Sequence, residues 1–181
     1  MKIFQIGFNK CGTKSLSDFF SNNGYLSVHW DNYKWDNHFS KNLKENKPLL
    51  DDTNPHVVFF SDIGFVQRQF QIFAEQYPTS KFIYNVRNID SWLDSRERHY
   101  KKHPLAFSDN FGFTQQAGLD RRDYWKSEWL YHKKVIEEYF VGEKSERVLK
   151  FDIEKDGVEK LVEFLPNMEF TDLEFPHKNK G

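Results

Sequence analysis

The chain has 181 residues and sets 26 Lys and Arg against 27 Asp and Glu, a formal net charge of −1. That length suits one domain, residues 1–181, with a substantial core; the charge balance argues against the basic field with which a protein gathers nucleic acid. The single cysteine, Cys11, excludes an internal disulfide framework and a multi-cysteine zinc site. Nineteen Phe supply much of the apolar volume. No apolar run reaches membrane-spanning length, and the sequence opens directly on an apolar strand without a leader pattern. The expectation is a cytoplasmic protein with neither a membrane nor a nucleic-acid partner.

In chain order, Ile3 to Ile6 reads as a short strand, and Gly7 and Gly12 bracket a tight loop. Ser15 to Asn23 follows as a helix with Leu16, Phe19 and Phe20 on one face and Gly24 as its stop. Tyr25 to His29 is a second strand, and the aromatic, polar run from His29 to Phe39 reads as a loop. Phe39 to Lys47 suits a helix before Pro48. His56 to Ser61 is a continuous apolar run of the kind that fills a buried parallel strand. Gly64 to Tyr77 has helical spacing through Phe65, Phe70 and Phe73, and Pro78 ends it. Lys81 to Val86 is the next buried strand; Asp90 then caps a helix from Ser91 to about Lys102. Residues 104–124 are polar at first and read as a lid, running into a long helix from Arg121 to Val141. Arg147 to Phe151 is the last strand, Gly157 to Leu165 the last helix, and the tail is irregular. Strands alternating with helices predict an α/β three-layer sandwich around a mostly parallel sheet of about five strands, P-loop NTPase-like. Ligands bind such sheets at the carboxyl ends of the strands.

The segment from Lys2 to Leu16 carries the chemistry. Strand, glycine-bracketed loop and helix form a phosphate cradle, in which backbone N–H groups and the helix dipole face an anion. Lys10 and Lys14 add full charges. The Walker A pattern needs lysine directly after the second glycine, but Thr13 intervenes and Lys14-Ser15 come one residue late. A cysteine-phosphatase loop needs arginine six residues after Cys11, where Ser17 stands. Lys10-Cys11-Gly12-Thr13 instead resembles the phosphosulfate loop of sulfotransferases, Lys-x-Gly-Thr-Thr, with Lys14 in place of the second Thr.

Arg87-Asn88-Ile89-Asp90, with Ser95 eight residues after the arginine, adds a second resemblance to the same family. There the pattern is Arg-Asn-Pro-x-Asp with a Ser at that spacing; here Ile89 replaces the proline and Asp90 sits one place earlier than the pattern's Asp. Arginine offers a planar fork to phosphate oxygens and serine a hydroxyl. Phe175-Pro176-His177-Lys178-Asn179 resembles the Pro-His-x-Asn tail of carbohydrate-type and bacterial sulfotransferases. The Arg-Lys-Gly segment of the cytosolic phenol and steroid enzymes is missing.

The resemblance implies a sulfotransferase using 3′-phosphoadenosine 5′-phosphosulfate (PAPS), releasing 3′-phosphoadenosine 5′-phosphate (PAP) and needing no divalent metal. Lys10, Cys11, Gly12, Thr13, Lys14 and Ser15 would hold the 5′-phosphosulfate, Arg87 and Ser95 the 3′-phosphate, and Lys178 would join them. Lys10 would also stabilise the departing phosphate. Three residues compete as the base that takes the acceptor proton: Asp62 after the third strand, Asp31 after the second, and His29 beside it. Asp62 suits a cap on the Gly64 helix equally well, and His29 a packed strand end. Trp30, Tyr33 and Trp35 suit either stacking on the sugar rings of a glycan acceptor or packing on the sheet; a small hydroxylated molecule is the other acceptor class. Two alternatives stay open: a Mg-ATP-dependent kinase or NTPase with Ser15 and Asp62 on the metal, and a nucleotide-binding protein of the same fold that has no chemistry.

Overall fold

The computed structural model describes residues 1–51, 55–103, 118 and 120–176. Five strands, β1 (Ile3–Gln5), β2 (Ser27–His29), β3 (Phe59–Ser61), β4 (Lys81–Val86) and β5 (Val148–Asp152), form one sheet in the order β2-β3-β1-β4-β5. Every pairing is parallel. After β1 the chain moves to one side for β2 and β3, then crosses to the other for β4 and β5. The loop leaving β1 therefore lies at the switch point, where the flanking connections diverge and leave a crevice.

Strand residues alternate between faces, and the two faces make two cores. Phe4, Phe60 and Phe82 face α2 (Lys34–Lys44), α4 (Phe70–Gln76), α5 (Ile89–Lys102) and α6 (Arg121–Tyr139), with Trp35, Phe39, Phe73, Trp92 and Trp129. Phe4 lies 4.7 Å from Phe73 and 5.3 Å from Phe60 between ring centroids, the offset range that aromatic quadrupoles favour. Ile3, Phe59 and Ile83 face α1 (Thr13–Asn22) and α7 (Glu159–Phe164), where Phe20 stacks on Phe59 at 4.2 Å. Among the described residues, no helix is long and apolar enough to cross a membrane.

Four local expectations shift. Helix α1 begins at Thr13, with Gly12 as its N-cap at φ 75°, a left-handed conformation that glycine adopts without cost. The aromatic run is helical from Lys34, because Trp35 and Phe39 stand one turn apart and both bury against the sheet. Trp35 therefore belongs to the core and is lost as a stacking surface, whereas Trp30 and Tyr33 are exposed. The segment from Gly64 is two helices, α3 (Gly64–Arg68) and α4, parted at Gln69. The α5 cap is Asn88, not Asp90: its side chain accepts from the Asp90 and Ser91 amides at 2.9 and 3.2 Å. Asp90 instead lends its charge to the positive end of the helix.

Candidate functional site

The β1–α1 loop is held from one side by three consecutive carbonyls. Trp92 Nε1 donates to the Asn9 oxygen at 2.9 Å, Arg87 Nη1 to the Lys10 oxygen at 3.2 Å, and Asn85 Nδ2 to the Cys11 oxygen at 2.7 Å. There are no cis peptides in the chain's described part. In a trans peptide plane the N–H points opposite to the preceding C=O, so the amides of Lys10, Cys11 and Gly12 are turned away from β4 and α5. The first amides of α1 follow directly, and Gly12 has no side chain to cap them. Amides so arranged are the donor set that an anion cradle requires.

The glycines are required by close approach. A Cβ on Gly7 would come within 2.0 Å of the Asn85 carbonyl oxygen, and one on Gly12 within 2.9 Å of Ile153. Lys10 itself is left-handed, at φ 64°; a strained backbone of this kind persists only where its surroundings fix it. The fixing group is a buried polar bracket. Gln5 Nε2 donates to Gly7 O and to Asn85 Oδ1, and Asn85 Oδ1 also accepts from the Gly7 amide at 3.1 Å. Gln5 Oε1 accepts from the Asp62 amide at 2.8 Å, so one side chain ties the loop, β4 and Asp62 together. Neither Gln5 nor Asn85 stood out in the sequence, although each is a polar residue inside an apolar strand and fully buried.

Asp62 stands beside the loop at φ 55°. Its carboxyl is not the α3 cap; Asp36 accepts from the Phe65 amide at 2.6 Å instead. Asp62 Oδ2 lies 3.6 Å from His29 Nε2, which is 3.2 Å from the Thr13 hydroxyl. Ser61 Oγ donates to the Thr13 carbonyl at 2.9 Å, binding β3 to the start of α1. Burial raises the Asp62 pKa to about 6, against the pull of Lys10. Burial, helped by Lys14, holds His29 down at about 4, so the imidazole is neutral near pH 7. Lys10 is lowered by burial while Asp62 opposes the shift, which places the two in mutual electrostatic reach. Arg96 and Lys102 push Lys10 down further, and His99 is held at about 4 by burial and then by Lys10. One face of α5 thus brings positive charge toward the loop. The charges are Arg96 and Lys102, and the spacing of Trp92, Arg96 and His99 along one face was the available sequence signal.

Asp31 is paired with Lys34 at 3.6 Å in an exposed turn, outside the Thr13–His29–Asp62 group. Lys14 turns back to Asp18 at 2.5 Å on the exposed side of α1. Ser15 is buried in the first turn of α1, and Cys11 is buried, its thiol pushed up by that burial. Arg87 forms a two-pronged ion pair with Glu154 (Nη2 at 2.7 Å and Nε at 3.0 Å to the same oxygen). Ser95 lies one turn along α5 from Ser91, half-buried. Arg121 lies over the Tyr100 ring at 3.5 Å and Arg122 is paired with Asp94 at 2.8 Å, so both start α6 against α5. His177, Lys178, Asn179 and the expected lid residues 104–117 and 119 lie outside the described residues.

A parallel five-stranded sheet with an amide-lined loop and a lysine at its switch point defines an α/β protein of the P-loop-like class. A family model described as a sulfotransferase domain matches residues 2–113, more than half of the sequence, and the chain belongs to that family. The fold is similar to the crystal structure of a sulfotransferase from Alicyclobacillus acidocaldarius, with a TM-score of 0.64 and 17% identity over 95% of this chain and 83% of that one. At that identity the likeness is one of fold. No curated protein matches the chain significantly.

Proposed function

We propose that the chain, as a single domain, transfers a sulfuryl group from PAPS to a hydroxyl or amine of an acceptor. The observation that carries this reading is the Lys10 loop, with the carbonyls of Asn9, Lys10 and Cys11 tied back to Trp92, Arg87 and Asn85 and with Asp62 within electrostatic reach of Lys10. The acceptor oxygen attacks sulfur as the bond from sulfur to the 5′-phosphate oxygen breaks in line, and PAP leaves. The amides of residues 10–12 and the first turn of α1 bind the phosphosulfate, and the Lys10 ammonium offsets the charge that grows on the departing phosphate. Asp62 takes the acceptor proton; a carboxylate with a pKa of about 6 is ionised near neutrality yet basic enough to share a proton in the transition state. Neutral His29 positions that carboxylate and fixes the Thr13 hydroxyl. Exposed Trp30 and Tyr33, with rings 6.4 Å apart beside His29, suit stacking on a glycan acceptor.

Against the kinase alternative stands Lys14, which is turned to Asp18 on the outside of α1. The test is calorimetric titration with PAP and with ATP, each in EDTA and in Mg²⁺. Metal-independent binding of PAP in preference to ATP is the expected result. Preference for Mg-ATP would overturn the reading.

A further inference from the structure

The Arg87 corner holds an anion that the chain itself provides. Glu154 follows β5 by two residues, and its carboxylate reaches across to the end of β4. Oε1 accepts from Arg87 Nε at 3.0 Å and Nη2 at 2.7 Å, Oε2 accepts from the Asn88 amide at 3.0 Å, and the Ser91 hydroxyl also bonds the carboxylate. A guanidinium fork, a backbone amide and a hydroxyl at the start of a fourteen-residue helix are the donor set that suits a phosphate. Glu154 fills that seat with its own two oxygens.

The backbone beneath Glu154 is fixed, because Ile153 N donates to the Val86 carbonyl at 3.0 Å and Glu154 N to Asp152 Oδ1 at 3.0 Å. The side chain is 31% exposed and meets Arg87 at the rim. It can therefore rotate into solvent while β5 stays in place. Arg87 and Glu154 together are neutral, so a dianionic phosphate arriving beside both would meet a like charge. The carboxylate and the phosphate exclude each other.

We propose that Glu154 is a displaceable stand-in for the donor's 3′-phosphate, occupying the Arg87–Asn88–Ser91 seat in the free protein and thereby setting how tightly a 3′-phosphorylated nucleotide is held. The proposal rests on the reading of PAPS as donor. Ser91, one turn ahead of Ser95 on the same face of α5, becomes a second hydroxyl of that seat.

The test compares the full chain with Glu154→Gln and Glu154→Ala by calorimetry, using PAP and adenosine 5′-monophosphate, which differ by the 3′-phosphate alone. Removing the competing charge is expected to tighten PAP binding by about tenfold, with the monophosphate unchanged within about twofold. The alanine variant covers the case in which the glutamine amide keeps its place on the Asn88 N–H, and thermal unfolding confirms that both variants fold. If the wild type prefers PAP to the monophosphate and neither variant binds PAP more tightly, Glu154 is no competitor, and the stand-in is overturned while the donor reading survives. If no form distinguishes the two nucleotides, the donor reading falls and takes the proposal with it.

Discussion

At the end of β1 the charge carriers are a lysine and a row of backbone amides, whereas at the end of β4 a full guanidinium meets a full carboxylate. The Lys10 corner contains groups whose protonation is held away from its ordinary value: Asp62 is raised by burial, and His29 and Lys10 are lowered by it. At the Arg87 corner, burial pushes the Glu154 carboxyl up, but the Asn88 amide, Arg87 and Ser91 outweigh it and keep the group ionised. The difference separates two tasks. On the proposed reading, a corner that moves a proton and absorbs charge keeps its groups unbalanced, and a corner that only grips rests neutral until its ligand arrives.

The contrast is sharpest in turnover. Lys10→Ala removes the charge meant for the departing phosphate and is expected to lower kcat by roughly 10³-fold, with PAP binding reduced far less. If binding and kcat fell together, Lys10 would be a grip like Arg87. Asp62→Asn is expected to lower kcat by roughly 10²-fold and to remove the rise of wild-type activity with pH through about 6. The same variant carries a stability signature. A carboxyl raised from 3.8 to about 6 costs the folded state above that pH, so the asparagine form is expected to be the more stable at pH 7.5, by about 1–3 kcal/mol. The gap closes as pH falls from 6 toward 3.8, which urea titrations at several pH values would read.

Asn85→Ala tests the strut shared by both corners. It leaves the Gly7 amide and the Cys11 carbonyl without their buried partner, and a loss of about 2–4 kcal/mol in urea unfolding is expected. An unchanged midpoint would mean that the loop holds its shape without the bracket. The smallest effect belongs to Asp31→Asn. Paired with Lys34 in an exposed turn, this carboxyl is expected to change kcat by less than about twofold; a large loss would return the role of base to Asp31.

Much of this was legible in the chain. The apolar runs around Phe4, Phe60 and Phe82 gave the buried strands, because a parallel strand covered on both faces has no polar alternation to hide it. Gly7, Lys10 and Gly12 gave the loop, because their spacing is itself a backbone geometry. The polar bracket was harder to find: Gln5 and Asn85 each interrupt an apolar strand, but a sequence does not say that two such residues 80 apart will meet. Trp35 was hidden by the polar residues around it, and only its one-turn spacing to Phe39 marked the helix. Glu154 sits among the charged residues of a turn, where the sequence cannot distinguish a solvated carboxylate from one that crosses to another strand's arginine.

The indole of Trp92 has a consequence for anyone who handles this protein in solution. Its N–H is bonded to the Asn9 carbonyl, and its ring lies 4.6 Å from Trp129 and 5.3 Å from Phe8. Two indoles in such contact couple their strong transitions into a signed pair of bands in far-ultraviolet circular dichroism, and one of them is moored to the residue preceding Lys10. The molecule thus carries its own optical gauge for the loop, and a nucleotide that settles or shifts those residues can be followed spectroscopically, without a label or an assay of turnover.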